Sequence, residues 1–369
     1  MRRRGKGEGG LSKRKDGRFQ GSYTGSDGRR HYVYGTTRRE TVDKLNAALR
    51  DLSLGVYVAG QSQSVADYIT RWLARADHLR PITRKRYESL IRLHVIPHLG
   101  ALEMRKVQPQ HVADLYGALR GSKAPATIGQ LHAVLHSAFD QALRWNMIAR
   151  NPVAAVKAPK VEQREMRILA LTEIHGFLTA VAGDPLEALY VLAVTTGARQ
   201  GELLALRWQD VDLEAATMTI AATLTRIDGH WERTPPKTRG SVRTVHLSAR
   251  AVVALKAHRL RMAEALLPLR GRTEGETLVF LERGAALNGF HVTERRLKPL
   301  LRCAGLPVIR FHDLRHVFAS LMLSQGVRPD LVAQMLGHSN PGITMKIYAH
   351  LMPGDQQAAM RRMDEVLAG

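Results

Sequence analysis

Cysteine and acidic residues are scarce in this chain of 369 residues. The single cysteine, Cys303, excludes an internal disulfide and any metal site built from several cysteines. No segment approaches the ~18 consecutive apolar residues of a membrane span. The basic N-terminal segment is not followed by the apolar stretch of a secretory signal. These absences predict a cytoplasmic protein, and a hydrophobic fraction of 44% suffices to bury two or three folded cores.

The shortage of acidic residues makes the chain strongly basic. Lys and Arg number 55 against 33 Asp and Glu, a net charge of +22, and residues 1–160 carry +17 of it. Such an excess favours a polyanionic partner such as nucleic acid. A ribosome-like or chaperone-bound basic protein is the simpler alternative. That alternative does not explain why the nearly balanced remainder holds a set of Arg, His and Tyr residues.

The pattern of residues 15–36 is typical of β-structure. Asp16-Gly17 and Asp27-Gly28 are hairpin-type turn signals between short runs with aromatic residues. Thr37 and Glu40 then fit a capping box that opens a helix. A small sheet backed by a helix can lay a basic face in the DNA major groove. An oligomerisation module is the alternative.

Helical periodicity takes over in residues 62–150, and Asn151-Pro152 ends it. Residues 156–168 are polar, charged and interrupted by proline, as in a linker. The remainder combines helices with two predicted strands, near Thr217–Ala222 and Val242–Leu247. Its last helical pattern, in Asp355–Leu367, could dock on a neighbouring protomer or on its own domain.

The predicted fold class is therefore α+β multidomain. Residues 1–60 form a small three-stranded sheet plus a helix, and residues 61–157 form an all-helical domain. Residues 158–168 are a linker. Residues 169–369 form a mainly helical domain with a small antiparallel sheet.

Arg199 and Glu202 are three residues apart, which places them on one helical face. The carboxylate can hold the guanidinium while its free edge binds phosphate, for which arginine is well suited. A surface ion pair is the alternative explanation for this pair alone.

His312, Arg315 and His316 share a second helical face. Two histidines at this spacing can bind zinc, but Asp313 replaces the expected Glu and Arg315 would repel a cation. The pattern favours an anion site in which His312 accepts a proton or donates a hydrogen bond. A buried, hydrogen-bonded histidine is the alternative for His316.

Three further polar residues complete the set. Lys237 lies in a turn between two predicted strands, where it could protonate a leaving oxygen; Arg239 and Arg243 compete for that role or for phosphate contact. His338 follows a glycine helix cap, near the start of the next helix. Tyr348 has apolar neighbours, so a place in the core is its alternative reading.

Together these residues resemble the tyrosine recombinase (phage integrase) family in order and spacing, and the resemblance covers most of the chain. It is most specific in Thr196–Leu206, His312–His316, Leu336–His338 and Tyr348. The resemblance implies phosphate-clamping roles for two arginines, a hairpin lysine, two active-site histidines, a nucleophilic tyrosine and two supporting residues. The two arginines would be Arg199 and Arg315, the lysine Lys237, the two histidines His312 and His338, and the nucleophile Tyr348. The two supporting residues would be Glu202 and His316.

The same resemblance implies an integrase that cleaves and rejoins DNA through a 3′-phosphotyrosine, without metal or cofactor, to integrate or excise a mobile element. Its partners would be double-stranded DNA with core-type and arm-type sites, three further copies in a tetramer, and an accessory bending or excision factor. Residues 1–60 would bind arm sites and residues 61–157 core sites. The candidate DNA-contacting residues are Arg18, Arg29, Arg30, Arg84, Lys85 and Arg86. The last three are cations at a helix start, opposing its dipole, which indicates an external anion or an ordinary solvated charge run.

Three alternative functions stay open. A type IB topoisomerase would use the same chemistry to relax supercoils. A chromosome or plasmid resolvase of the same family would normally lack the sheet module near the N-terminus. A non-catalytic DNA-binding protein is hard to reconcile with a complete set of catalytic residue types.

Overall fold

A computed structural model of the chain describes eleven ranges or single positions: 10–25, 29–53, 63–77, 79–161, 167–227, 229–235, 242–266, 278–338, 342, 345 and 356–368. Contacts divide the chain into two compact units, Met1–Gln163 and Arg164–Gly369. The predicted turn at Asp27-Gly28 lies outside the described residues, as does the predicted turn around Lys237.

The first unit begins with a three-stranded antiparallel sheet in the order β1-β2-β3. Its strands are β1 (Gly10–Lys13), β2 (Phe19–Thr24) and β3 (Arg30–Gly35), and helix α1 (Arg38–Ser53) packs against it. Tyr23, Leu45 and Ala48 are its buried centre. The Thr37 hydroxyl accepts the Glu40 N–H at 3.1 Å, as the capping-box pattern predicts. The predicted sheet with one helix is confirmed.

The opposite face of this sheet is open to solvent. Tyr32 and Tyr34 alternate with the half-buried Val33 along β3 and are 47% and 45% exposed. The Arg14 guanidinium lies over the Tyr34 ring, 5.4 Å from its centroid. Aromatic rings with adjacent cations are common on nucleic-acid-binding surfaces.

In the part of the first unit that the structure describes after α1, the regular elements are helices. They are α2 (Val65–Ala74), α3 (Pro81–Leu90), α4 (Ile96–Leu99), α5 (Pro109–Leu119) and α6 (Pro125–Arg144), with a π-helical turn at Ile91–Val95 joining α3 to α4. The predicted apolar faces are buried in one core, in which Val65, Ile69 and Phe139 are fully inaccessible. The Tyr68 hydroxyl crosses that core and donates to the Ala138 carbonyl at 2.7 Å.

The second unit is mainly helical, as predicted. Its helices are α7 (Leu171–Ala180), α8 (Glu187–Thr196), α9 (Gln200–Leu204), α10 (Ala249–Leu266), α11 (Gly289–His291), α12 (Lys298–Cys303), α13 (Phe311–Ser324), α14 (Pro329–Leu336) and α15 (Gln356–Leu367). Helix α8 is buried on nearly every side because its sequence is apolar all round. It packs against both α10 and α13.

Three small antiparallel sheets accompany these helices. One has the order β4-β5-β8, and the other two are the pairs β6-β7 and β9-β10. The strands are β4 (Val211–Asp212), β5 (Thr217–Ile220), β6 (Thr223–Ile227), β7 (His230–Thr234), β8 (Arg243–His246), β9 (Leu281–Glu282) and β10 (Ala285–Ala286). The predicted strands near 217–222 and 242–247 are confirmed as β5 and β8, which pair with each other.

The hairpin β6-β7 is absent from the sequence-based prediction. Its strands are mostly polar and only half buried, so they lack the apolar alternation by which β5 and β8 are recognised. Arg233 holds the hairpin to the rest of the unit. Its Nε donates to the Ala205 carbonyl at 3.0 Å, and its Nη2 donates to Asp210 at 2.9 Å.

Helix α15 presents an apolar face to solvent. Met360, Met363, Val366 and Leu367 are 54–77% exposed, so the described part of their own domain does not cover them. Among the described residues, no helix has the length and apolarity needed to cross a membrane.

Candidate active site

The site is built around the turn between α8 and α9. Gly197 ends α8 in the left-handed region, with φ of +62°. A Cβ atom there would lie 2.5 Å from a Phe318 ring carbon and 2.6 Å from a Leu336 methyl, so only glycine fits. The tight turn places Arg199 immediately before α9.

Arg199 and Glu202 meet through a helix cap. Arg199 has extended backbone at the N-cap of α9, so the prediction that both lie on one helical face is wrong in detail. Glu202 reaches back across the first turn: one carboxylate oxygen accepts the Arg199 N–H at 2.9 Å, and the other accepts Nη1 at 2.8 Å. The Glu202 side chain is 8% exposed and that of Arg199 is 42% exposed. The guanidinium therefore keeps an accessible edge.

Arg315 approaches the same turn from α13. It is only 3% exposed, and its Nη1 donates to the Gly197 carbonyl at 2.8 Å. Only Ala198 lies between Gly197 and Arg199 along the chain. The structure thus brings the two predicted phosphate-clamping arginines to one turn.

His312 and His316 lie one helical turn apart on α13, with their rings edge to face at 5.1 Å. Burial, followed by the charge of Arg315, lowers the pKa of His312. Burial and then His312 lower the pKa of His316 to about 4. Asp313 between them pairs with Arg310 at 2.7 Å, and its charge opposes the lowering of both histidine pKa values without outweighing it. Both histidines are therefore neutral at pH 7.

His338 is placed by the C-terminal end of α14. Gly337 takes the left-handed conformation expected of a glycine cap, with φ of +69°, and the His338 N–H donates to the Ala333 carbonyl at 2.9 Å. Burial, then the charges of Arg315 and Arg199, lower the pKa of His338 to about 4. The imidazole is neutral at pH 7 and shares the electrostatic environment of both arginines.

Arg243 joins this group, although the sequence suggested it only as a competitor of Lys237 for proton donation or for phosphate contact. Its guanidinium donates to both Glu202 oxygens, at 2.9 and 3.4 Å, and its side chain is 8% exposed. A signal for this burial is present in the sequence. Arg243 and Val245 lie on the same face of β8, and Leu247 continues that alternation just beyond the strand, so the arginine is in line with two buried apolar residues.

The charges at this site do not balance. Arg199 and Arg243 pair with one carboxylate, Glu202, and the charges of both act on His338 together with that of Arg315, which leaves an excess of two positive charges. Burial raises the pKa of Glu202, but Arg243 and then Arg199 outweigh it, so the pKa lies below its usual value and the group is ionised. A site of this sign suits an anion such as a phosphodiester.

The remaining predicted residues lie elsewhere or outside the described residues. Lys237 and Tyr348 lie outside them; β7 ends at Thr234, three residues before Lys237. The six candidate DNA-contacting residues, Arg18, Arg29, Arg30, Arg84, Lys85 and Arg86, are exposed and belong to the first unit. Arg84 also donates to the Ala74 carbonyl at 3.2 Å, and Arg86 contacts Gln130.

Comparison with known families and structures shows which proteins the chain is similar to. Residues 168–354, half of the chain, match the sequence model of the phage integrase family. The chain belongs to the phage integrase family. It is thus a member of the tyrosine recombinases, enzymes of site-specific DNA recombination. Residues 64–119 match the N-terminal SAM-like domain of phage integrases, which covers helices α2 to α5.

Curated relatives match this family member along most of their length. A XerC-like tyrosine recombinase of Caldanaerobacter subterraneus subsp. tengcongensis is 28% identical, over 91% of this chain and 92% of the relative. The ICEBs1 integrase of Bacillus subtilis is 24% identical, over 90% of this chain and 91% of that protein.

Two solved structures share the fold at low sequence identity. The Tn1549 transposon integrase, in complex with a circular intermediate DNA, superposes with a TM-score of 0.69 at 20% identity, covering 83% of this chain and all of that one. A lambda integrase tetramer bound to a Holliday junction superposes with a TM-score of 0.57 at 21% identity, covering 91% of this chain and 94% of that one. The predicted fold class and family are confirmed.

Proposed function

We propose that this family member is an integrase that cuts and rejoins DNA at specific sites to integrate or excise a mobile element. The observation that carries the proposal is the convergence of Arg199, Arg315, His312 and His338 on one turn with an excess of positive charge. Such a group can hold a phosphodiester and stabilise the charge that develops as it reacts.

Tyr348 is the proposed nucleophile. Its phenolic oxygen bonds to phosphorus while the bond from phosphorus to the 5′ oxygen breaks, which leaves a 3′-phosphotyrosine and a free 5′ hydroxyl. A tyrosine has a pKa of ~10 in water, so it must lose its proton to a base as it attacks. The neutral His312 can accept that proton, and Lys237 supplies the proton for the leaving 5′ oxygen.

The neutral histidines fit this division of roles. An uncharged imidazole can donate one hydrogen bond and accept another, whereas an imidazolium can only donate. His338 would donate to a non-bridging phosphate oxygen alongside the two arginines. The phosphotyrosine keeps the energy of the cleaved bond, so rejoining requires neither a nucleotide cofactor nor a metal ion.

We propose that the units divide the DNA between them. Residues 1–60 would bind arm-type sites and residues 61–157 core-type sites, with a linker at 158–168 and a catalytic domain at 169–369. The boundary between the compact units, at Gln163, falls within that linker and supports the division. The exposed cations on the N-terminal sheet and on α3 supply phosphate contacts.

A homotetramer on DNA is the proposed assembly. Exchange between two duplexes requires four strand cleavages, and the lambda integrase that shares this fold was solved as a tetramer on a Holliday junction. The exposed apolar face of α15 supplies a surface for a neighbouring protomer. An accessory bending or excision factor would act on the same DNA.

A resolvase of the same family is the second candidate, and a topoisomerase the third. The three-stranded sheet with its exposed Tyr32, Tyr34 and Arg14 favours the integrase, because a second DNA-binding module serves a second class of site. The ICEBs1 integrase and the Tn1549 transposon integrase among the similar proteins support the same choice.

The test is a covalent trap with Tyr348→Phe. A nicked duplex carrying the sequence that flanks the gene is incubated with protein in EDTA, and adducts are resolved on a denaturing gel. The wild type should attach to the 3′ phosphate, and Tyr348→Phe should bind DNA without attaching. Tyr190→Phe is the matched control, because the buried Tyr190 hydroxyl has no hydrogen-bond partner among the described residues. An adduct in Tyr348→Phe, or dependence on added magnesium, would overturn the proposal.

A further inference from the structure

Arg243 is a buried arginine to which the proposed reaction gives no role. It begins β8, where it pairs with Ile220 of β5, and its side chain is 8% exposed. An ionised group in such a place costs several kcal/mol unless hydrogen bonds compensate for lost water. Its contacts therefore show what holds it there.

These contacts join two separate parts of the candidate active site. On one side, Nη2 donates to Glu202 at 2.9 Å, and Glu202 in turn holds both the backbone and the side chain of Arg199. On the other side, Nε donates at 2.8 Å to the Met335 carbonyl in the last turn of α14. That turn is followed directly by His338.

The cap of α14 is shaped around the same guanidinium. A Cβ atom on Gly337 would lie 2.7 Å from the Arg243 Nη1 atom and 2.9 Å from Cζ. Contact this close leaves no space for a methyl group while Arg243 keeps its hydrogen bonds to Glu202 and to the Met335 carbonyl. The glycine therefore has two roles, since it supplies the left-handed conformation and admits the arginine.

We propose that Arg243 is a positioning residue that fixes the Arg199–Glu202 pair and the His338 turn relative to each other. This inference rests on the proposed function, because it assigns a role within that reaction. Arg243 acts through its neighbours: Glu202 orients Arg199 toward the phosphate, and the Met335 carbonyl anchors the segment that presents His338. A displacement of about 1 Å between such groups can lower a reaction rate about 100-fold.

The shape of the side chain, and not its charge alone, is essential to this role. A guanidinium presents donors in a planar fork, so it can bond a carboxylate and a carbonyl in different directions at once. A lysine at this position keeps the positive charge beside Glu202, but its single ammonium cannot reproduce the fork. The Arg243→Lys variant therefore removes the bridge between Glu202 and the Met335 carbonyl while it keeps the positive charge that neutralises Glu202.

The test compares Arg243→Lys with the wild type in single-turnover formation of the covalent adduct, on the nicked duplex described above. We expect the cleavage rate to fall about 100-fold while DNA affinity, measured separately, changes less than about twofold. Arg207→Lys is the matched control, since Arg207 is also a buried arginine paired with a carboxylate, Asp210, at 3.1 Å. It should lose stability to a similar extent and keep its cleavage rate per folded molecule.

A second substrate tests whether the effect passes through the phosphate clamp. A methylphosphonate at the scissile position replaces one charged non-bridging oxygen with a methyl group, so the reacting group needs less cationic stabilisation. The defect of Arg243→Lys should shrink to less than about tenfold on this substrate, and Glu202→Gln should behave in the same way.

The outcomes are distinguishable. A wild type that forms no adduct overturns the proposed function, and the positioning role with it. A wild-type adduct together with an undiminished rate for Arg243→Lys overturns the positioning role alone. The positioning role is also overturned if Arg243→Lys slows cleavage equally on the phosphodiester and on the methylphosphonate. It is overturned as well if the loss of cleavage in Arg243→Lys and Glu202→Gln is no greater than their loss of folded protein.

Discussion

Replacing Gly337 by alanine should destabilise the second unit by more than the usual cost of a left-handed alanine. The residue has φ of +69°, and this conformation alone costs a non-glycine residue roughly 1–2 kcal/mol. The new methyl group would also lie 2.7 Å from Arg243 Nη1. Moving that guanidinium breaks its bond to the Met335 carbonyl, and a hydrogen bond from a charged group contributes about 1.5–3 kcal/mol. We expect a total loss of about 3–4 kcal/mol.

Gly326 provides the matched comparison. It ends α13 with φ of +78°, and a Cβ atom there would meet nothing within 4 Å. Gly326→Ala should therefore lose only the ~1–2 kcal/mol of backbone strain. Hydrogen exchange of the intact protein in increasing denaturant, followed on peptides covering 311–338, measures both free energies of opening. Equal losses for the two substitutions would refute the reasoning, as would an unchanged Gly337→Ala penalty in an Arg243→Lys background.

Two other predictions concern protons and salt. His316 and His338 have pKa values of about 4 in the folded chain and ~6.5 when unfolded, so the unfolded state binds more protons between these values. The free energy of unfolding should therefore fall by about 2 kcal/mol in total, after solvent screening, as the pH drops from 6.5 to 5. In a series of denaturation curves over that pH range, His338→Asn should show a smaller fall than the wild type. A wild-type free energy of unfolding that does not change over this range would contradict the prediction. For DNA binding, Lys85→Ala should reduce the slope of log affinity against log salt by about 1, because Lys85 belongs to the cationic start of α3, while Lys106→Ala, outside the candidate DNA contacts, should leave it unchanged. Identical slopes for the two variants would remove Lys85 from the DNA contacts.

Sequence patterns were sufficient to predict the helices and strands in which buried residues recur at a regular spacing. The apolar faces of α2 and α6, the alternation in β5 and β8, and the glycine cap at Gly337 each reflect a local rule, and the structure shows each as predicted. The hairpin β6-β7 was not predictable in this way. Its position depends on the Arg233 contacts with Asp210 and the Ala205 carbonyl, which only the folded chain brings together.

The candidate site shows the same limit. The order and spacing of Arg199, His312, Arg315 and His338 identified residues that the fold gathers at one turn, because their types are chemically distinctive. Arg243 was harder to interpret, since a single arginine near a predicted turn suggests exposure. Its role depends on a carboxylate 41 residues earlier and a carbonyl 92 residues later, and local spacing carries no information about either contact.

The excess of arginines over carboxylates at the α8–α9 turn has a consequence for the free protein. Arg199 and Arg315 repel each other when no anion lies between them, so the second unit should fold against an electrostatic penalty that a bound phosphodiester would remove. By mass action, a phosphodiester that binds only the folded state adds to its stability as its concentration exceeds its dissociation constant. We expect the chain to resist proteolysis better on DNA than in free solution, so that its lifetime depends on occupancy of its target site.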